Sequence, residues 1–236
     1  MGYLNRVETH NHAISANLLT DHGDGHEGID VLPRAKANSF EAHDVVFHEG
    51  DDARRVYELT SGTVMLYKLL PDGRRQVVEI LRQGDLFGMP SGDLHDCTAE
   101  TLTDVEVRSV ARREIETSAE VQAFVTKSLI AQMESLHDHA VLLGRKSAIE
   151  RVTTFIMRLI PNRGNAVCTG PTAQPDQCRV VLSMTRQEIA DYLGLTIETV
   201  SRVISELKRR GLVKAEKQDR LIVTNTCAVC RLTGMH

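Results

Sequence analysis

The sequence has no apolar run long enough to cross a bilayer, which takes about 20 consecutive residues as a helix. Met1–Asp30 is polar and rich in His and Asp, without the apolar stretch of a signal peptide. Five cysteines at 97, 168, 178, 227 and 230, odd in number and late in the chain, make no disulfide framework. A reducing cytoplasm and no membrane are therefore expected. No Ser/His/Asp set, phosphate-cradling loop or carboxylate pair stands out, which argues against an enzyme. His43, His48 and Glu49 lack the paired H-x-H of a cupin-type metal centre.

What is present is a globular composition: 236 residues, 42% apolar and 25% charged, enough for two domains of ordinary size. Charge is unevenly spread. Residues 145–236 carry 15 Lys/Arg against 8 Asp/Glu, and residues 1–144 carry 13 against 24. An acidic front and a basic back point to a polyanion partner for the C-terminal part alone.

Residues 1–30 show no hydrophobic period and read as an arm, its His10, His12, His22 and His26 at loose spacings. From Phe40 onward glycines recur at 50, 62, 73 and 84, separating the short runs Val45–Phe47, Val56–Leu59, Thr63–Leu70 and Gln76–Leu81. Pro71-Asp72-Gly73 is turn chemistry. Thr101–Ala111 alternates at period two and closes the set, so a β-sandwich or roll is expected over 31–117. The period then changes. Between Ser118 and Gly144, Val125, Leu129, Met133, Leu136, Ala140 and Leu143 form one seam, close to a coiled-coil repeat. Val121, Phe124 and Ile130 supply a second apolar face, so the helix can serve both its own domain and a second copy of the chain. A homodimer is expected.

Gly144 and Arg145 read as a hinge, Lys146–Ile160 as an amphipathic helix and Pro161–Gln177 as a loop. Ser183–Val213 (SMTRQEIADYLGLTIETVSRVISELKRRGLV) then places two short helices across Gly194, a helix-turn-helix. Ser183 or Thr185 caps the first helix, and the second begins near Thr196. The outward face of the second offers Glu198, Ser201, Arg202, Lys208 and Arg209. Gly211–Leu221 with Ile222–Val223 reads as a two-stranded wing.

Glu198 and Arg202 are i and i+4 and reach one side of the helix. A guanidinium can donate twice to guanine, and a carboxylate accepts from the cytosine amino group. A surface salt bridge between the two is the alternative use of the pair. Ser201 can approach a thymine or its phosphate. Thr185, Arg186 and Gln187, with Thr196, Lys208 and Arg209, suit backbone phosphates of double-stranded DNA.

The stretch TRQEIADYLGLTIETVSRVISELKRRGLV resembles the DNA-binding signature of the CRP/FNR family of bacterial transcription regulators. The glycine-spaced roll and long helix upstream resemble that family's sensor domain and dimerisation helix, in the same order. The resemblance implies an α+β architecture: an antiparallel β-roll like the cyclic-nucleotide-binding jelly roll, a dimerisation helix over 118–144 and a winged helix-turn-helix over 145–236. Glu198-Thr199-Val200-Ser201-Arg202 matches the E-x-x-S-R pattern of the FNR and FixK branches. The cyclic-AMP receptor branch has Arg in place of Ile197 and Gly in place of Ser201. The implied operator is therefore TTGAT-N4-ATCAA, and the implied further partner of an activator is RNA polymerase.

The roll departs from the cyclic-nucleotide pattern at GDLFGMPSGDLHDCTAE. Met89 and Pro90 stand where Glu and Leu would be, and Asp96-Cys97-Thr98 replaces an Arg-Ser neighbourhood. A carboxylate near a phosphate repels it, so cAMP is not expected to bind. No cysteine precedes position 97, so the iron–sulfur cluster of the FNR branch is not expected either. A FixK-type regulator working without a cofactor is the resulting expectation. Cys178, beside Arg179, is the candidate redox-regulatory thiol. Cys227 and Cys230 have metal or redox spacing, with His236 as one more donor, at an end expected to fray. A roll gated by haem or a small metabolite remains the alternative.

Overall fold

The structure is a computed structural model that describes residues 35–115, 118–160, 176–217 and 219–234. The expected arm (1–30), most of the Pro161–Gln177 loop and His236 lie outside the described residues. Among the described residues no helix is long and apolar enough to cross a membrane.

The glycine-spaced region forms β1 (Lys36–Phe40), β2 (Val45–Phe47), β3 (Arg55–Ser61), β4 (Val64–Leu69), β5 (Arg75–Leu81), β6 (Leu86–Phe87), β7 (Thr98–Thr101) and β8 (Val105–Ala111). They make two antiparallel sheets, ordered β1-β8-β3-β6 and β2-β7-β4-β5. Thr101–Ala111, expected as one strand, is interrupted: β7 pairs with β4 and β8 with β3, in different sheets. Alternation alone cannot report a change of sheet. Gly62 sits at φ +85°, and a Cβ there would meet the Asp104 carbonyl oxygen at 2.3 Å, so the β3–β4 turn admits only glycine. Phe47, Leu59, Val64, Leu66, Leu81, Phe87, Ala99, Val105 and Val107 form the roll's buried cluster with Cys97. Phe47 stacks on His95 at 3.6 Å and Tyr57 on Phe87 at 5.1 Å.

A short α1 (Arg112–Ile115) leads to α2 (Ala119–Arg145), whose N-cap is Ser118. The helix runs past Gly144, so the hinge is not at Gly144-Arg145 but at Lys146-Ser147. Ser147 and Glu150 form a capping box that starts α3 (Ala148–Arg158), and that box, with no helix breaker needed at the glycine, fixes the bend. The second face of α2 also differs from expectation. Val121 is buried and Phe124 packs on the roll, but Ile130 is 50% exposed. It joins Leu129, Met133, Leu136 and Val141 on the outward side. Of the expected seam, Ala140 is exposed, whereas Val125 and Leu143 are partly covered by their own protomer.

The C-terminal part contains β9 (Cys178–Val181), α4 (Arg186–Leu193), α5 (Ile197–Arg209), β10 (Val213–Lys217), β11 (Arg220–Val223) and α6 (Thr226–Arg231). The wing has three strands, not two, because β9 pairs with β11. The chain end is not frayed there: Asn225 caps α6, which buries Val229 and Cys230. The largest core joins both halves of the molecule, placing Met65, Tyr67, Val77 and Ile80 of the roll with Leu142 of α2 and the inner residues of α3, α4 and α5.

Candidate nucleic-acid interface

Thr185 starts α4. Its hydroxyl accepts from Glu188 N at 3.2 Å, and its own N–H donates to Glu188 Oε2 at 2.6 Å. Ile189, Ala190 and Leu193 are buried, which satisfies the inner face expected of the first helix. Gly194 ends it at φ 59°, ψ 40°, the left-handed conformation that glycine adopts without a Cβ penalty. Thr196 starts α5 by accepting from Thr199 N at 3.2 Å. Val200, Ile204 and Leu207 anchor the buried face.

With those three positions buried, helical geometry turns Glu198, Ser201, Arg202, Ser205, Lys208 and Arg209 outward, and all are exposed. Among the described residues Arg202 and Lys208 make no hydrogen bond or ion pair. The surface salt bridge between Glu198 and Arg202 is thus not formed. The Glu198 backbone N–H and Thr196 hydroxyl, with Arg202 nearby, hold the Glu198 carboxyl below its usual range. It is an anionic acceptor. Arg209 differs from its outward neighbours, because its Nε donates to Glu206 Oε2 at 2.9 Å. Arg210 shares that carboxylate at 2.7 Å. Thr185 and Gln187 are exposed and Arg186 half-buried. Burial lowers the Arg186 pKa, and Gln187 donates to Asp191 at 2.7 Å.

Cys178 opens β9, paired with Val223. Strand alternation sends it inward with Val180 and sends Arg179 to the other face, where Arg179 meets Glu216 at 3.2 Å. Adjacency in sequence therefore does not bring that guanidinium to the thiol. Cys97 is buried in the roll, and burial with Asp96 beside it pushes its thiol up to about 12.

Two model domains match this architecture: a cyclic nucleotide-binding domain over residues 37–120 and a Crp-like helix-turn-helix domain over 150–232. The nitrogen fixation regulation protein FixK of Rhizobium meliloti is 38% identical over 169 residues, 71% of this chain and 73% of that protein. FixK of Bradyrhizobium diazoefficiens is 39% identical over 182 residues, 74% of this chain and 72% of that protein. The chain belongs to the CRP/FNR family. It is a DNA-binding transcription regulator and not an enzyme. The solved structure of FixK2 from Bradyrhizobium japonicum superposes with a TM-score of 0.73 at 32% identity, covering 86% of this chain and 98% of that one.

Within that CRP/FNR fold, side chains that sequence reasoning missed hold the helix-turn-helix against the roll and the end of α2. Arg151 of α3 donates to the carbonyl oxygens of Leu143 at 2.7 Å, Lys146 at 2.9 Å and Leu193 at 2.9 Å. One guanidinium thus ties the end of α2 to the turn between α4 and α5. Arg75 of β5 donates to Asp191 of α4 at 3.0 Å and to Glu100 of β7 at 3.4 Å. His139 of α2 stacks on Tyr192 of α4 at 4.4 Å. Burial, helped by Arg158, pushes the His139 pKa down to about 4. The contacts of Arg151 with Leu193, of Arg75 with Asp191 and Glu100, and of His139 with Tyr192 join residues far apart in sequence, and only a pairing signal between distant positions could have found them. His43, His48 and Glu49 are not gathered together. Glu49 pairs with Lys68 at 3.3 Å, and His43 faces Glu100 and Glu188.

Proposed function

We propose that the chain is a homodimeric activator that reads a TTGAT-N4-ATCAA-like pseudo-palindrome with Glu198, Ser201 and Arg202. The observation that carries this reading is an exposed helix face on which Arg202 is uncommitted and Glu198 is anionic. Arg202 donates to guanine and Glu198 accepts from cytosine. Arg186, with Thr185, Gln187, Thr196 and Lys208, meets backbone phosphates, and Arg209 does so once it leaves Glu206. The outward residues of α2, Leu129, Ile130, Met133 and Leu136, are 42–50% exposed, and a second copy covers them. A two-fold dimer places its recognition helices about 34–36 Å apart, matching the two half-sites. As an activator it also engages RNA polymerase, and its work on DNA is cytoplasmic.

The dimer needs neither cAMP nor an iron–sulfur cluster. In support, the roll's interior is filled by its own aromatic side chains, and Met89 packs toward Val56, Val110 and Val121. Two inner guanidinium groups are committed too: Arg55 donates to Ser109 Oγ at 3.0 Å and Arg108 to Glu58 at 2.9 Å. Oxidation of Cys178 to a sulfinate adds negative charge to the wing sheet and weakens DNA binding. Cys178 is half-buried on β9 beside the core that joins both halves of the molecule.

Gel shift of the cofactor-free protein on TTGAT-N4-ATCAA tests the reading. Binding without added effector, unchanged by cAMP and lowered by peroxide, is expected. A requirement for haem or a metabolite overturns the effector-free part. Cys178→Ser that keeps full peroxide inhibition overturns the redox part.

A further inference from the structure

The seam between roll and helix-turn-helix gathers three metal-capable side chains that DNA reading does not use. His43 lies in the β1–β2 turn at φ 69°, its N–H held by the Thr101 carbonyl at 2.8 Å. Its Nδ1 lies 3.7 Å from Glu100 Oε1 and 3.7 Å from Glu188 Oε1. The three ligand atoms all lie within 4.8 Å of one another.

The carboxylates are oriented by their other oxygens. Glu188 Oε2 accepts from Thr185 N at 2.6 Å, and Glu100 Oε2 faces Arg75 at 3.4 Å. Both Oε1 atoms are thereby left toward the imidazole. The Glu188 side chain is only 6% exposed, and among the described residues its Oε1 accepts no hydrogen bond, which leaves that oxygen available to a cation. Charge points the same way. Glu100, Glu188 and Asp191 all surround Arg75, so three carboxylates share one guanidinium.

We propose that His43, Glu100 and Glu188 bind a divalent first-row cation, with Zn²⁺ as the fitting case, and so join the roll to α4. Zinc–nitrogen and zinc–oxygen bonds of ~2.0–2.2 Å in a tetrahedron put donors about 3.4 Å apart. The two 3.7 Å separations need only a small contraction, and the two carboxylate oxygens, within 4.8 Å of each other, close in further. Three protein ligands leave a fourth position for water, and His43, with its side chain 55% exposed, provides the entry side. The ligands come from both domains, so the ion fixes α4, and with it the recognition helix, relative to the roll. This consequence for DNA rests on the proposed regulator function; ion binding itself does not.

The test uses the full chain carrying Cys227→Ser and Cys230→Ser, stripped with chelator and titrated with Zn²⁺ and Co²⁺. It compares this parent with His43→Gly, which suits the positive φ and preserves the turn, and with Glu100→Gln. The parent is expected to hold one more ion per protomer than either variant, or to bind it at least tenfold more tightly. Its Co²⁺ spectrum should show d–d bands without thiolate charge transfer. Equal stoichiometry and affinity in all three proteins would overturn the site and assign the ions to other histidines. Because binding is read without DNA, failure of the operator reading would leave this result intact.

Discussion

In the β-roll Arg55 is bound to Ser109 and Arg108 to Glu58, whereas on α5 Arg202 and Lys208 have no partner among the described residues. These two guanidinium groups are spent within the roll; α5 keeps two of its cations open. Both regions have well-filled apolar cores, so the difference is not one of foldedness. A paired guanidinium must leave its partner before it binds a ligand, and an open one is ready to bind. That contrast supports α5 as the surface proposed to meet a polyanion.

The largest effect should come from destroying the two-copy geometry proposed for the outward face of α2. Leu129→Asp with Met133→Asp places charges on that face, and sedimentation should then report a monomer. Operator affinity should drop roughly 10³-fold as the second half-site contact is lost. A dimer that survives both charges would remove α2 from the interface.

Next comes the seam where roll and helix-turn-helix meet. Arg75→Ala leaves Asp191, whose side chain is 9% exposed, and Glu100 without their shared cation. Urea unfolding should show a loss of about 3 kcal/mol, the usual cost of breaking a buried pair. A loss near zero would mean that the two halves dock through apolar contacts alone.

The smallest effect is a pH dependence in the same seam. His139 is held neutral with a pKa of about 4, below the usual imidazole value, while burial with Asp85 nearby raises the Glu79 carboxyl to about 7. For His139 the unfolded chain takes up the proton first, so stability falls as pH drops from about 6.5 toward 4. For Glu79 the folded chain keeps its proton longer, so stability falls as pH rises from about 4.5 to 7. The two slopes oppose each other in wild type. His139→Phe keeps a ring against Tyr192 and should gain about 1–2 kcal/mol relative to wild type at pH 5 over its difference at pH 7. Equal differences at the two pH values would show that His139 is not held neutral.

Much of this was legible in the sequence because it is local. Gly194 between two apolar-faced helices gives the turn, and Thr185 and Thr196 cap the helices as their residue types suggest. The strands bounded by Gly62 and by Pro71-Asp72-Gly73 follow from turn chemistry in the same way. What was not legible is non-local. Thr101–Ala111 breaks at a change of sheet that alternation does not record, and β9 pairs with β11 across 40 residues of chain. Arg75 meets Asp191 from 116 residues away. Ile130 looked equivalent to Val121 and Phe124 by apolarity, and only its position around the helix puts it outside. Cys178 and Arg179 are neighbours along a strand, which is the arrangement that separates side chains. For the candidate interface, residue types and spacing marked Glu198, Ser201 and Arg202, but the pairing of Arg209 with Glu206 required coordinates.

The most direct measurement is a binding matrix: wild type and Arg202→Ala, each on the TTGAT operator and on operators substituted at the guanine. Wild type should lose about 1–3 kcal/mol on losing that guanine, while Arg202→Ala binds all the operators with nearly equal, weaker affinity. If Arg202→Ala still discriminates against the substituted operators as strongly as wild type does, Arg202 does not read that base and the account of α5 fails.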